Sequence, residues 1–350
     1  MRASITNVRP EAEWFIGLQR AGAQITLMTE ADAPYATLSR DAGIKVIDFE
    51  THGKFDRAFL RIGTQLGNTD LVFAMNNNAI ANAVLAVRGS DVRLVTYRGQ
   101  TGNISRWNPS CYLTHLNRHV DKIICVADAV RRSVAAELRD PTKAVTIYKG
   151  HDLNWYDVEA ADLATIGIDD DAPRVICVSN YRPRKGIEIL IDSFAHIDTR
   201  AHLLLVGKGM DNGHLARRAD THIDETCFHP LGYQEDALAL TAAADIAVLP
   251  ALRREGLPKT IIEAMACGVV PVVTDTGGNA ELVVHRESGL VVAAGDELAL
   301  AGAIQELCND VGLRRKLAAA ARQRIGTHFN INDTVSKTME LFHTLLRPDL

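Results

Sequence analysis

Short runs of apolar, β-favouring residues alternate along this chain with longer segments whose apolar residues recur at helical spacing. Such alternation is typical of mostly parallel sheets that are covered by helices. In the first half, the pattern predicts helices at 11–21 and 127–138 and strands at 3–6, 24–28, 45–47, 71–74, 93–97, 122–126 and 145–148. In the second half, it predicts helices at 187–196, 258–267 and 298–307 and strands at 174–178, 202–206, 246–249, 270–273 and 290–292.

Each half therefore has the pattern of its own doubly wound sheet, and the predicted fold class is α/β with two Rossmann-like lobes. The polar segment 150–173 separates the two halves. We place the boundary near residue 160, which gives lobes of residues 1–160 and 161–350. Three consecutive aspartates at 169–171 lie in this segment. We interpret them as a solvated turn, because adjacent side chains cannot easily converge on one metal ion.

Composition and charge narrow the choice of partners. The 350 residues are 47% hydrophobic and 23% charged, which suffices for two buried cores. The formal net charge of −5 argues against a nucleic-acid partner, because such proteins normally carry a basic excess. The charge is uneven, however, since residues 1–150 contain 19 Lys and Arg against 14 Asp and Glu. A basic first lobe suits an anionic acceptor or the headgroups of a membrane, and a chance asymmetry explains it equally well.

The sequence predicts a cytoplasmic protein. No run approaches 18 apolar residues, and charged residues recur within the first twenty, so neither a transmembrane helix nor a signal peptide is expected. The six cysteines are scattered without a CxxC pair, which is typical of a reducing compartment. The histidines show no zinc-ligand pattern, and we predict no metal site.

The most informative motif runs from Glu255 to Glu263, EGLPKTIIE. Pro258 suits the first position of a helix, whose first-turn N–H groups, including those of Lys259 and Thr260, need an acceptor. A diphosphate is one candidate, because unpaired donors and the helix dipole both favour an anion, and water or a capping side chain is the other. Glu255 and Glu263 flank this helix start and could accept hydrogen bonds from sugar hydroxyls. For an isolated pair of acids, a loop carboxylate and a solvated helix face would be the simpler interpretation, but the apolar residues on both sides of Glu263 disfavour a freely exposed acid there.

Other loops offer further candidates for ligand binding. Arg182 and Lys185 lie between a predicted strand and the next helix, where open α/β sheets bind ligands. They could hold phosphate oxygens, or they could form an ordinary basic surface turn. Gly232 and Tyr233, and the segment 276–279, are plausible ligand loops and equally plausible turns.

With these residues, the second half closely resembles the retaining glycosyltransferases of family 4, which have the GT-B architecture of two Rossmann-like lobes around a cleft. Glu255 and Glu263 match that family's E-x7-E motif, and the match extends over about 175–292. The resemblance implies a donor that is a UDP-sugar or GDP-sugar, bound mainly by the second lobe, and a glycan or lipid-linked acceptor. It implies no metal and no cofactor, and it points to cell-envelope polysaccharide biosynthesis at the inner face of the membrane.

The resemblance also implies roles for individual residues. Glu263 would hold the ribose, Glu255 the transferred sugar, and Lys185 with an arginine the diphosphate. Asn180 stands at the usual position of that arginine, so we expect Arg182 to replace it, and Glu255, Lys185 and Arg182 form the catalytic set. The remaining donor-binding residues are expected to be Gly256, Leu257, Pro258, Lys259, Thr260, Gly232 and Tyr233.

The first lobe departs further from the family pattern. Arg98 stands where many members have a histidine, and residues 7–11, which include Arg9, replace a glycine-rich loop. We assign Arg98 and Arg9 to the acceptor side. A nucleotide-sugar epimerase of similar architecture and a non-catalytic nucleotide-sugar binding module are the alternatives. A nicotinamide dehydrogenase is disfavoured, because no GxGxxG follows the first strand of either lobe.

Overall fold

The computed structural model of the chain describes residues 8–30, 32–49 and 58–347. Its strands are β1 (Thr26–Thr29), β2 (Lys45–Asp48), β3 (Leu71–Ala74), β4 (Arg93–Arg98), β5 (Lys122–Cys125), β6 (Ala144–Thr146), β7 (Arg174–Val178), β8 (His202–Val206), β9 (Phe228–Gly232), β10 (Ile246–Leu249), β11 (Val270–Thr274) and β12 (Leu290–Val292). Its α-helices are α1 (Arg9–Arg20), α2 (Ala36–Asp41), α3 (Ala58–Gly63), α4 (Asn77–Ala86), α5 (Asp128–Ala135), α6 (Ile187–Ser193), α7 (Gly213–Ala219), α8 (Ala237–Ala242), α9 (Lys259–Ala266), α10 (Asn279–Leu282), α11 (Glu297–Asn309), α12 (Val311–His328) and α13 (Ile331–Leu346).

The chain divides into two compact units. The first takes in the described parts of Met1–His151 and Phe329–Leu350, and the second is Asp152–His328. The division lies nine residues before the predicted boundary at residue 160. Helix α13, which that boundary assigned to the second lobe, belongs to the first unit. All strand pairs in the described residues are parallel, as the alternation of strands and helices predicts.

The second unit is built on one six-stranded sheet in the order β12-β11-β10-β7-β8-β9. The chain runs outward from β7 to β9, then returns to β10 on the other side of β7 and runs outward again to β12. This order is that of a doubly wound dinucleotide-binding fold, and its direction changes between β7 and β10. Side chains of α6, α7 and α11 bury the core on β7 and β8, with Val175, Cys177, Leu203 and Leu205 at its centre.

The described strands of the first unit form two sheets. A four-stranded sheet has the order β3-β4-β5-β6, and β1 and β2 pair separately. The predicted strand at 3–6 lies outside the described residues. The predicted strands at 71–74, 93–97 and 122–126 are confirmed to within one residue, whereas the predicted strand at 145–148 begins and ends earlier, at 144–146.

Helix α13 belongs to the first unit because it packs against α1. The indole Nε1 of Trp14 donates a hydrogen bond of 3.0 Å to Thr338 Oγ1, and both side chains are fully buried. Gly17 allows this approach, since a Cβ there would lie 2.4 Å from Val335 Cγ2. A backbone hydrogen bond also joins the start of α13 to the end of the first segment of this unit, since Ile331 N donates to His151 O over 3.1 Å. Residues 324 positions apart thus share one core, which a linear pattern of apolar residues does not reveal.

No helix in the described part of the chain is long and apolar enough to span a membrane.

Replacement of Thr338 by valine should destabilise the first unit by about 1–3 kcal/mol, because the buried indole N–H of Trp14 would lose its acceptor. The measurement is the urea midpoint of the unfolding transition followed by tryptophan fluorescence, to which Trp14 contributes together with Trp107 and Trp155. Thr338 Oγ1 also donates to Thr334 O over 2.6 Å, and Thr344, on the exposed side of the same helix, donates in the same way to Glu340 O over 2.9 Å. Thr344→Val is therefore the matched control, and an equal loss in both variants would contradict the role of the Trp14 bond.

Candidate active site

The candidate site lies at the carboxyl ends of β7 and β10, where the strand order of the second unit changes direction. The loop 179–186 follows β7, and the loop 250–258 follows β10. In open parallel sheets, the two loops that leave such neighbouring strands run to opposite faces and open a crevice between them. The two loops that the sequence singled out are therefore adjacent in the fold.

The two loops touch through their backbones. Leu252 N donates a hydrogen bond of 2.8 Å to Arg184 O. Gly186 has a φ of +69°, and a Cβ at this position would lie only 2.1 Å from Pro250 O. A side chain there would both strain the backbone and push the loops apart, so glycine is required for the approach.

This approach brings Lys185 and Glu255 into a buried ion pair. Lys185 Nζ lies 2.7 Å from Glu255 Oε1, and the side chains are 17% and 7% exposed. Arg184 Nη1 lies 3.6 Å from the same carboxylate oxygen and donates to Arg254 O over 3.3 Å. Arg184 was not among the predicted site residues, although its position in the basic loop beside Lys185 indicated that it could reach the same ligand or carboxylate. Glu255 therefore lies between two cations at the bottom of the crevice.

A third loop supports Glu255 from the other side. Gly278 N donates to Gly256 O over 3.0 Å, and Gly277, with a φ of +58°, passes so close that a Cβ would lie 2.1 Å from Glu255 O. Asn279 follows, fully buried, with Nδ2 donating 2.9 Å to Thr274 O. Its Oδ1 has no hydrogen-bond partner among the described residues. The segment 276–279, for which the sequence left a ligand loop and a plain turn open, thus packs directly on the Glu255 loop.

Helix α9 begins next to this carboxylate. The helix was predicted at 258–267 and spans Lys259–Ala266, with Pro258 as its N-cap and no side chain capping it. Ile261 N and Ile262 N both donate to Pro258 O over 3.1 Å. The N–H groups of Lys259 and Thr260 precede these bonds, so they lie at the positive end of the helix dipole. The helix start can accept an anion.

Glu263 lies in the middle of α9 and is largely buried, with its side chain 17% exposed. Lys259 Nζ is 2.8 Å from Glu263 Oε1, one helical turn away. Burial raises the pKa of Glu263, and the charge of Lys259 opposes that rise. The apolar neighbours in the sequence predicted that Glu263 would not be a freely exposed acid, and this prediction is confirmed.

The other donor-side candidates lie at the same edge of the sheet. Arg182 is exposed and forms no ion pair within the described part of the chain. Asn180 Oδ1 accepts from Lys208 N over 3.2 Å. Gly232 ends β9, and the exposed ring of Tyr233 has Lys208 Nζ 5.5 Å from its centroid. Tyr233 is two strands from β7, about 10 Å at the usual strand spacing.

The two acceptor-side candidates belong to the first unit. Arg98 is the last residue of β4 and is buried, with Nε donating to Gln100 O over 3.0 Å and Nη2 donating to Gly102 O. Arg9 is exposed at the start of α1, where its Nε lies 3.4 Å from Glu13 Oε1. The described residues contain no group of three or more His, Cys, Asp or Glu side chains placed to hold a metal ion.

The segment that contains this site matches a known protein family. Residues 172–310 match the family model described as Glycosyl transferases group 1. The chain is 30% identical over 186 residues to N-acetyl-alpha-D-glucosaminyl L-malate synthase of Bacillus anthracis, covering 52% of this chain and 48% of that protein. It is 35% identical over 177 residues to a GDP-mannose-dependent monoacylated alpha-(1-6)-phosphatidylinositol monomannoside mannosyltransferase of Corynebacterium glutamicum, covering 48% and 46%. The chain thus spans about half the length of these curated relatives.

Similarity in fold extends over the whole chain. The Anabaena protein HepE in complex with UDP superposes with a TM-score of 0.80 at 21% identity, over 98% of this chain and 99% of that one. Sucrose-phosphate synthase of Thermosynechococcus elongatus superposes with a TM-score of 0.73 at 20% identity, over 99% of each chain. The predicted fold of two Rossmann-like lobes is confirmed. The second unit contains a group 1 glycosyl transferase domain, the chain has the GT-B fold, and its resemblance to the glycosyltransferases of family 4 is confirmed.

Proposed function

We propose that the protein is a retaining glycosyltransferase that moves a sugar from a UDP-sugar or GDP-sugar to a glycan or lipid-linked acceptor. The observation that carries the proposal is the buried Lys185–Glu255 pair beside the uncapped start of α9. This arrangement places a cation and unpaired N–H groups for a diphosphate next to a carboxylate for sugar hydroxyls. The relatives named for GDP-mannose and for a phosphatidylinositol monomannoside support this donor and acceptor class.

Donor binding would exchange the partner of Lys185. The ammonium group is 2.7 Å from Glu255, and Arg184 lies 3.6 Å from the same carboxylate. A diphosphate carries more charge than one carboxylate and would attract Lys185 and the exposed Arg182. Glu255 would then accept hydrogen bonds from hydroxyls of the transferred sugar, while Arg184 keeps the carboxylate charged and in place. Glu263 and Tyr233 would hold the nucleoside.

The chemical step breaks the bond between the anomeric carbon and the diphosphate oxygen, whose electron pair leaves with the diphosphate. Lys185, Arg182 and the first N–H groups of α9 would stabilise this growing negative charge. The acceptor hydroxyl would attack the anomeric carbon from the face that the diphosphate leaves, and its proton would pass to the departing oxygen. We propose that these groups suffice without a metal ion, so that a chelator leaves turnover unchanged.

Two other activities would leave different products. A nucleotide-sugar epimerase would return an isomerised donor, and a non-catalytic binding module would bind the donor without releasing nucleotide. Incubation with a panel of UDP-sugars and GDP-sugars, followed by mass spectrometry, separates the three. Release of free nucleoside diphosphate by slow hydrolysis or transfer supports the glycosyltransferase.

Lys185→Ala and Glu255→Gln should each lower turnover at least about 10²-fold, because each removes a group that acts on the reacting bond or its sugar. Lys185→Ala should also destabilise the second unit by up to about 3–5 kcal/mol, since a buried carboxylate loses its nearest cation. The measurements are nucleoside diphosphate release and thermal unfolding.

The double variant Lys185→Ala/Glu255→Gln is the control for folding, because it removes both members of the buried pair together. It should recover stability and remain inactive. Recovery of turnover in the double variant would contradict the proposed roles.

Lys259→Met should move the acid limit of donor binding to higher pH. Burial already raises the pKa of Glu263, and loss of the opposing charge of Lys259 raises it further. When the pKa is higher, acidification of the solution protonates the carboxylate at a higher pH. The acceptors for the ribose hydroxyls are then lost at that higher pH. The measurement is the dissociation constant of UDP or GDP as a function of pH, with exposed Lys316→Met as control. Identical pH profiles for the two variants would count against a nucleotide role for Glu263.

We propose in addition that the protein works in the cytoplasm and contacts the inner face of the membrane through its first unit. Its segment 106–118 exposes aromatic, apolar and basic side chains close together in sequence, those of Arg106, Trp107, Tyr112, Leu113 and Arg118, and Trp107 is 88% exposed. Beside it lies a cavity of about 670 Å³ that Tyr112 and Arg118 share with Arg88, Arg139 and Lys143. Exposed aromatic residues among cations suit anionic headgroups.

Trp107→Ser and Arg118→Ser should each weaken binding to vesicles that contain phosphatidylglycerol and leave the low affinity for pure phosphatidylcholine vesicles unchanged. Each cation near an anionic surface contributes about 1 kcal/mol, or roughly fivefold in affinity. Co-sedimentation measures the bound fraction. Leu298→Ser is the matched control, because Leu298 is an exposed apolar residue of the second unit. Equal binding of all variants to the anionic vesicles would contradict the proposed membrane contact.

A further inference from the structure

Arg98 is the most buried lysine or arginine among the described residues, with 7% of its surface exposed. It ends β4 at the carboxyl edge of the four-stranded sheet and is paired in register with Cys125 of β5. Val126 N donates to Arg98 O over 3.0 Å, so the backbone of this arginine is fixed between two strands. A charged group is thus held out of water at the edge where open sheets bind ligands.

Three other largely buried cations of the described chain each have a carboxylate. Lys149 lies 2.7 Å from Glu11, Lys185 lies 2.7 Å from Glu255, and Arg314 lies 3.5 Å from Asp245. Arg98 has none in the described part of the chain, and its guanidinium donates only to the carbonyl oxygens of Gln100 and Gly102. A buried charge without a counter-charge is costly, and the carbonyl groups supply only dipoles.

The groups around Arg98 do not supply the missing charge. Burial raises the pKa of the Cys125 thiol to about 12, so this neighbour is uncharged at neutral pH. Burial and Arg98 together lower the pKa of His115 to about 3, so the imidazole is neutral as well. His115 Nδ1 lies 3.1 Å from Thr96 Oγ1, and this contact holds the imidazole ring beside β4, two residues before Arg98.

Resting on the proposed function, we infer that Arg98 binds an anionic group of the acceptor, a phosphate or a carboxylate. The guanidinium has five N–H donors, and two of them fix the loop that follows β4. The remaining donors can form the two parallel bonds that a phosphate or carboxylate accepts. A neutral hydroxyl could accept hydrogen bonds there but would not balance the buried charge. The acceptor class is therefore a sugar phosphate, a lipid-linked phosphate or a carboxylate, rather than a neutral glycan.

The test observes the Nε–Hε resonance of Arg98 in the full chain labelled with ¹⁵N-arginine. Arg98→Lys assigns the resonance by its disappearance, and Arg98→Gln provides the same assignment if the lysine variant does not fold. Inorganic phosphate, acetate and methyl phosphate are titrated into the unaltered protein. A saturable shift of the Arg98 resonance is expected. An unshifted resonance at a large excess of all three anions would overturn the inference.

A second arm identifies the source of the anion. Glucose 1-phosphate and N-acetylglucosamine 1-phosphate are compared with inorganic phosphate and with the neutral methyl glycosides. Binding of a sugar phosphate at least about tenfold tighter than inorganic phosphate, with no shift from the neutral glycosides, supports an acceptor site. Equal affinity for inorganic phosphate and both sugar phosphates would mean a site for a free anion and would overturn the acceptor assignment.

The same spectra separate this inference from the proposed function. UDP or GDP should shift the resonances of Arg182 and Arg184 in the second unit at concentrations well below those at which inorganic phosphate or methyl phosphate shifts that of Arg98. Absence of any nucleotide response would contradict the proposed donor site, whatever Arg98 does. A response of Arg182 and Arg184 without an anion response at Arg98 would leave the donor site intact and exclude the anionic acceptor.

Discussion

The second unit is organised around one constraint, which is that two opposite charges, Lys185 and Glu255, are held 2.7 Å apart and largely out of water. Burial of either charge alone would be costly, so each requires the other, or a ligand that can take the other's place. The pair therefore fixes how the loops after β7 and β10 must lie. The pair also allows the crevice to respond to a bound anion, because the anion can compete for the lysine while Arg184 retains the carboxylate.

The backbone around this pair is adapted to its closeness. Gly186 and Gly277 stand where a Cβ would lie about 2 Å from a carbonyl oxygen of the neighbouring loop, and both have φ values that favour glycine. Three loops from different strands can therefore meet at Glu255. The start of α9 adds unpaired N–H groups at the same place. Charge, helix dipole and close backbone packing thus converge at the single point where the strand order reverses.

In the first unit, the buried cations are compensated in two different ways. Lys149 is compensated by Glu11, whereas Arg98 is compensated only by carbonyl dipoles of its own loop. In the second unit, the buried cation and its carboxylate are both present in the chain. At the end of β4, the described part of the chain provides the cation without a carboxylate. This difference distinguishes a site whose charges are complete without a ligand from one that a ligand must complete.

The sequence by itself determined the fold class, most strands of both units, the start of α9 and the partly buried state of Glu263. Apolar periodicity, a proline at a helix start and acids among apolar neighbours are all local signals. The tertiary structure alone decided that Arg184 shares the carboxylate of Glu255, that Asn279 is buried behind the Glu255 loop, and that α13 returns to pack on Trp14 in the first unit. The Arg184–Glu255 and Trp14–Thr338 contacts join residues that are 71 and 324 positions apart, and no local pattern encodes which distant partner will neutralise a charge or accept a hydrogen bond. The physical reason is that such pairs are selected by the packing of whole sheets and helices, which settles only when the chain has folded.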